Sequence, residues 1–280
     1  MEILIADSGA TKTDWCLISN GEILQQYNGK GISPIFQTQD EIAEEVKLNI
    51  YPVFNKWDIS RIYFYGAGCT TENIPVVKNA INQSLLINNI EVYSDIIAAA
   101  HSLCGHNPGI ACILGTGSNS CEWDGKKIVN QISPLGFILG DEGSGASMGK
   151  ALIGDALKNQ LTHGLKENLL EEYDLTPSLI IEKVYRQPFP SRFLASLSPF
   201  IAKHIEDDSI KRIVRKDIDD FLKRNVMQYN YKENKVNFVG SIAWQYSDIL
   251  KESANTYGIE TGKIVRSPMD GLIKYYSDKL

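Results

Sequence analysis

The sequence predicts an α/β protein of two domains, with parallel strands in its sheets. Three features carry this prediction. The chain has 280 residues, enough for one large or two medium domains. It opens with three β-like runs and then alternates strand with helix, and parallel neighbours need such crossovers. The same opening pattern returns near residue 109, as a weak internal duplication of architecture.

The first runs are 2–6, 13–18 and 22–28. "SNGE" (Ser19–Glu22) is a hairpin signal between the last two, so the three strands read as an antiparallel meander. Ile42, Val46, Ile50 and Val53 recur at helical spacing and predict a helix over 39–54. "RIYFYGAG" (61–68) reads as a buried strand ending in glycines. A helix over 74–87, a strand at 90–94 and a helix over 95–104 follow. In the second half, "GIACILG" (109–115) is a strand with "TGSN" (Thr116–Asn119) as its turn. Two more strands flank Asp124–Gly125, and "KVNFVGS" (235–241) is a later strand. The region 143–233 is helix-rich and reads as insertions on the second half. A last helix is predicted over 269–280.

Composition excludes several classes. Hydrophobic residues make up 43% and charged residues 22%, as in an ordinary globular protein. A net charge of −6 argues against nucleic acid as the main partner. No apolar run reaches the ~20 residues of a membrane span, and no signal peptide is evident. The five cysteines form no CxxC pair, and the four histidines lack zinc-ligand spacing beside them. They read as buried reduced thiols in a cytoplasmic protein.

Four stretches could carry chemistry. In "DSGATKT" (7–13), a glycine turn offers backbone N–H groups to anionic oxygens. Thr11 and Thr13 add hydroxyls. Asp7 would repel a bare phosphate, so its presence suggests Mg²⁺ between them, since Mg²⁺ is often held by one or two carboxylates plus phosphate oxygens. An Asx-turn in an ordinary hairpin also accounts for this stretch. "LGTGSNS" (114–120) is a second turn of the same character, with Thr116, Gly117 and Ser118, and the pair suggests a clamped phosphate chain. "GDEGSGASMGK" (140–150) fails as a P-loop, because Ser144 and Ala151 stand where glycine and a hydroxyl are needed. In "VGSIAWQ" (239–245), Gly240 and Ser241 would let a flat ring approach, although a tight strand-to-helix turn explains them equally. Asp95 lies where a strand gives way to a helix. It reads either as an N-cap or as a carboxylate at the mouth of a ligand crevice, able to take a proton from a sugar hydroxyl.

In order and spacing, "DSGATKTD", "SDIIAAA", "ILGTGSN", "GDEGS" and "VGSIA" resemble the N-acetylglucosamine kinase family. That family lies in the actin-like sugar-kinase superfamily, in the branch shared with benzoyl-CoA reductase-type ATPases. The resemblance spans nearly the whole chain. It implies two ribonuclease-H-like domains with a cleft for ATP and sugar. One would comprise 1–113 plus 268–280, the other 114–267 with a helical insertion.

By position, the resemblance makes Asp95 the catalytic base and Asp7 the Mg²⁺ ligand. Asp7, Gly9, Thr11, Lys12 and Thr13 would face ATP, with Thr116, Gly117 and Ser118 as the second phosphate loop and Gly240 and Ser241 beside the adenine. Ser33, Gly66, Ala67, Asn119 and Asp141 would line the sugar. Departures fall on the sugar side: Ser33 precedes Pro34 where an asparagine is common, and Cys69 follows the loop Gly66–Gly68. The expected activity is ATP-dependent phosphorylation of an amino sugar, N-acetylglucosamine at its 6-hydroxyl foremost. An ATPase that activates a partner enzyme and a non-catalytic sugar sensor are the alternatives. The expected partner is a small-molecule sugar, and the oligomeric state stays open, a homodimer included.

Overall fold

The computed structural model describes residues 2–9 and 11–277. Ala10 of the first motif and the predicted helix end at 278–280 lie outside the described residues. The chain divides into two units, Met1–His106 with Ser267–Leu280, and Asn107–Arg266.

The first unit holds β1 (Glu2–Ser8), β2 (Lys12–Ser19), β3 (Glu22–Lys30), β4 (Ile59–Gly66) and β5 (Ile90–Ser94). Their order in the sheet is β3-β2-β1-β4-β5. The first three form the expected antiparallel meander, and β1–β4 and β4–β5 are parallel. Asn20 and Gly21 both take positive φ, the requirement of a tight type I′ turn.

Apolar residues run uninterrupted through β1 because both faces of the sheet are covered. Leu4, Ala6, Trp15, Leu17 and Phe64 pack on one side with Ile42, Val46, Val77 and Ile81 from the helices over 39–54 and Ile74–Leu85. Ile3, Ile5, Cys16, Ile18 and Tyr65 pack on the other with Ala98, Leu272 and Tyr276. These last come from the helices Asp95–Leu103 and Met269–Ser277. The helix over 39–54 starts at a Thr38–Glu41 capping box and passes through a π segment, Val46–Ile50. That segment ends just before Pro52, whose missing N–H leaves the Leu48 carbonyl without its usual i+4 donor.

The second unit holds β6 (Gly109–Leu114), β7 (Ser118–Trp123), β8 (Ile128–Asn130), β9 (Val236–Val239) and β10 (Thr261–Val265). The order is β10-β9-β6-β7-β8, so β8-β7-β6-β9-β10 repeats the first sheet strand for strand. Pairing directions repeat too. The chain divides at 106/107, ahead of the expected 113/114, because β6 is hydrogen-bonded to β7 and β9.

β10 was not expected from the sequence. It is a short strand broken in composition by Gly262, where a Cβ would lie 2.2 Å from Asn237 Oδ1. The helices between β8 and β9 include Gly145–Leu157 and Asp208–Arg224 and share one core with Ile110, Cys112, Leu114 and Phe238. Among the described residues, no helix is long and apolar enough to cross a membrane.

Candidate active site

In the first unit, strand alternation decides which side chains can act together. Along β1, Asp7 falls on the same face as Ile3 and Ile5, and Ser8 falls on the other. Asp7 is the register partner of Asp14 on β2 and of Tyr65 on β4. Its carboxyl is pushed up to about 7, first by burial and then by the charges of Asp14 and Asp95, while Lys12 opposes the shift. Lys12 Nζ lies 2.8 Å from Asp14 Oδ2.

Asp95 is the first residue of its helix. The cap position belongs to Ser94, whose side chain makes no capping bond, so the N-cap reading of Asp95 is corrected by one residue. Asp95 Oδ1 accepts a 2.8 Å bond from the Ile96 N–H. Burial raises its pKa, opposed by that bond. The same helix is held lower down, where His101 Nδ1 meets the Tyr65 hydroxyl at 2.8 Å. Tyr65 also bonds Tyr276 from the last helix.

The loop after β4 brings together three residues expected at the sugar. Ala67 N–H donates to Ser8 O, and Ser33 Oγ lies 3.5 Å from Ala67 O. A Cβ on Gly66 would meet the Phe64 ring at 2.8 Å and Cys69 Sγ at 3.1 Å. The Cys69 thiol is buried, and it is pushed up to about 12 by burial and by the charge of Asp95.

Thr13 departs from expectation. It is fully buried, donates to Lys30 O at 2.8 Å and meets Ser8 Oγ at 2.7 Å. It lies on the face opposite Asp7, tying the first hairpin to the end of β3. Thr11 and Lys12 are exposed at the turn. The Gly9 N–H, read as an anion donor, is spent on Lys12 O at 2.9 Å. Sequence reasoning also missed Asp14. Counting outward from the turn pairs it with Asp7, a signal that was there to use.

In the second unit, the turn between β6 and β7 is built into the 140–147 segment. Gly145 N–H donates to Gly115 O at 2.8 Å and Ala146 N–H to Thr116 O at 3.0 Å. Asp141 is buried, with φ of +59°. Its Oδ1 accepts from Ser118 N–H at 3.4 Å, and its Oδ2 would lie 3.1 Å from a Cβ on Gly117. Burial pushes this carboxyl up to about 6, opposed by the Ser118 N–H. Asn119 Oδ1 accepts from Ser120 N–H and from Gln131 Nε2.

Gly240 has φ of +128°, and a Cβ there would lie 2.1 Å from Leu114 O. Packing against the end of β6 therefore requires this glycine, and the reading that it makes room for a flat ring is not needed. Ser241, exposed, starts the short helix Ser241–Gln245. Thr116, Gly117 and Ser118 thus lie on the turn that Asp141 closes against in the second unit. Asp7, Asp95, Ser33, Gly66 and Ala67 gather at the ends of β1, β4 and β5 in the first.

Two five-stranded sheets of one order, each with two antiparallel and two parallel pairings, define an actin-like fold of two repeated domains. No protein-family model matches the chain, and no curated protein matches it. Among solved structures, it is similar to a Porphyromonas gingivalis protein designated a candidate N-acetylglucosamine kinase. The two are 46% identical over 99% of each chain, with a TM-score of 0.96. A Chromobacterium violaceum protein of the same designation is 18% identical over 98% of each chain, with a TM-score of 0.75. A glucokinase of the ROK family from Streptomyces griseus, solved with glucose and AMPPNP, is 16% identical. It covers 100% of this chain and 99% of its own, with a TM-score of 0.58. These last two show the fold alone. The chain belongs to the sugar-kinase family of the Porphyromonas protein.

Proposed function

We propose that the protein transfers the γ-phosphoryl group of ATP to the 6-hydroxyl of N-acetylglucosamine. The observation that carries this reading is the pair Asp7 and Asp95, two carboxyls placed at the ends of the parallel strands β1 and β5. The relative at 46% identity, designated for the same sugar, supports it. We read the "GTGSN" and "GDEGS" pair as support for the branch shared with benzoyl-CoA reductase-type ATPases.

The donor set fits Mg·ATP. Asp7 is a half-buried carboxylate whose pKa is raised first by burial and then by the charges of Asp14 and Asp95, a situation that a cation relieves. Among the described residues, no group of three or more His, Cys, Asp or Glu is placed to hold a metal. A single carboxylate suits Mg²⁺, which keeps several of its waters. Bound Mg·ATP supplies the phosphoryl group and neutralises the charge that moves with it.

The protein's own residues do the rest. Asp95 orients the sugar hydroxyl and accepts its proton late in transfer, and its raised pKa brings it closer to the working pH of a general base. Asp7 holds the cation. In the first unit, Thr11 and Lys12 are the candidate phosphate contacts, and Ser33, Gly66 and Ala67 the candidate sugar contacts. In the second, Thr116, Gly117 and Ser118 are candidate phosphate contacts, and Asp141 and Asn119 candidate sugar contacts. Gly240 and Ser241 lie on the adenine side. Five cysteines without a CxxC pair, together with an ATP requirement, fit the cytoplasm.

The test is an ADP-release assay with Mg·ATP and a panel of N-acetylglucosamine, N-acetylmannosamine, glucosamine and glucose. N-acetylglucosamine should give the highest kcat/KM, with phosphorus–proton coupling at C6 of the product. ADP release that no sugar accelerates would overturn the reading.

A further inference from the structure

The longest helix of the second unit reaches the candidate site through one face. Asp217, Phe221 and Arg224 follow i, i+4, i+7 spacing and so lie on one side of Asp208–Arg224. All three meet the "GDEGSGAS" segment. Asp217 Oδ2 accepts the Gly143 N–H at 2.9 Å, and Asp217 Oδ1 accepts the Ser147 hydroxyl at 2.7 Å. Arg224 Nη1 lies 2.6 Å from Glu142 Oε1. Phe221 closes under Gly143, where a Cβ would meet it at 3.0 Å.

The segment needs such a grip. Asp141 and Gly143 both take left-handed backbone, with φ of +59° and +77°. For an aspartate this conformation is sparsely populated and persists only where the surroundings over-determine it. The Asp141 side chain takes a 3.4 Å bond from Ser118 N–H, and its backbone N–H donates to Pro134 O at 3.1 Å. Beside the backbone bonds of Gly145 to Gly115 and of Ala146 to Thr116, the two short bonds to Asp217 are a side-chain anchor for the segment, and they come from a buried carboxylate seventy or more residues away in sequence.

We propose that Asp217 is a positioning residue that holds the 140–147 segment in the conformation in which Asp141 can bind the sugar. This rests on the reading of Asp141 as a sugar ligand. Asp217 touches no substrate in this account. It sets the fraction of molecules whose sugar-binding segment is already in place. Apparent affinity for a ligand falls in proportion to that fraction, while the chemical step in the complex is unchanged. The signature is therefore a raised KM for sugar with kcat retained.

Asparagine separates hydrogen bonding from charge. In Asp217→Asn, the amide oxygen can accept from Gly143 N–H, and the amide NH₂ can donate to a rotated Ser147 hydroxyl, so both contacts survive. Alanine loses both, and Ser147→Ala loses one.

The experiment combines hydrogen exchange of the 140–147 amides in the ligand-free full chain with steady-state kinetics on N-acetylglucosamine. Asp217→Ala should exchange the segment faster and raise the KM for sugar by about ten-fold or more, with kcat within roughly three-fold of wild type. Asp217→Asn should restore both readouts. Unchanged exchange in Asp217→Ala, or a fall in kcat with KM unmoved, would overturn the proposal. So would an Asn variant as impaired as the Ala variant. If Asp217→Ala does not fold, Ser147→Ala decides the matter by an intermediate rise in exchange and KM, or by none. A wild-type enzyme that phosphorylates no sugar would sink the functional reading instead, while the exchange comparison still tests the role of Asp217.

Discussion

Asp7 and Asp14 stand directly opposite one another on β1 and β2, two carboxylates in one cross-strand pair. Like charges in that relation destabilise a sheet, and only Asp14 has a lysine within reach, Lys12 at 2.8 Å. Burial first, and that facing charge second, raise the Asp7 carboxyl to about 7.

The sign of the resulting pH dependence is fixed. Between the ordinary 3.8 and about 7 the folded chain holds a proton on Asp7 that the unfolded chain releases. Asp7's contribution to stability is therefore greatest below 3.8 and is lost as pH rises through about 7. Asp7→Asn should melt above wild type at pH 8 and close to it at pH 4. Adding Mg²⁺ with an ATP analogue at pH 8 should raise the wild-type melting temperature more than that of the variant. Parallel melting curves of the two proteins across this range would refute the assignment.

Asp95→Asn should lose turnover by ~10²–10⁴-fold, the usual worth of a positioned acid–base group. Its melting temperature should hold, because Ser94 occupies the cap position and burial already penalises the Asp95 charge. Initial rates and melting curves on one preparation check this. Near-normal turnover would leave Asp95 with a helix-terminal role alone.

The two threonines of the first turn should separate cleanly. Thr13→Val removes the hydroxyl that donates to Lys30 O and meets Ser8 Oγ, which keeps its bonds to Ile32, and should cost about 1–3 kcal/mol of stability. Thr11→Val, at an exposed position, should keep the stability and raise the KM for ATP. Denaturant melts and ATP titrations distinguish them. The reverse pattern would mean that the turn is read backwards.

Gly240→Ala places a methyl 2.1 Å from Leu114 O at a φ of +128°. Such a substitution should cost about 3 kcal/mol or more. Loss of ATP binding without loss of stability would instead restore an adenine-contact role for the bare backbone.

Much of this fold could be read along the chain because both sheet faces are covered, so β1, β4 and β6 announce themselves as apolar runs. The repeat was legible for the same reason. Thr13 was misread because a motif was taken as a row of hydroxyls, whereas a strand sends alternate residues to opposite faces. β10 escaped because Gly262 interrupts its pattern in favour of Asn237, a partner on another strand. Asp217 had no local signal at all. Its meaning lies in two bonds to Gly143 and Ser147, and tertiary contacts of that span leave no periodicity behind.

The chain leaves its first unit at His106 and comes back to it at Ser267. Its closing helix, Met269–Ser277, lays Met269, Leu272 and Tyr276 over Ile3, Ile5 and Tyr63. During synthesis, the intervening 160 residues (107 to 266) can therefore be complete while one greasy side of the earlier sheet has only the helix Asp95–Leu103 over it. The part made first is finished last, and the nascent chain must keep that side from sticking until the final turns of helix emerge.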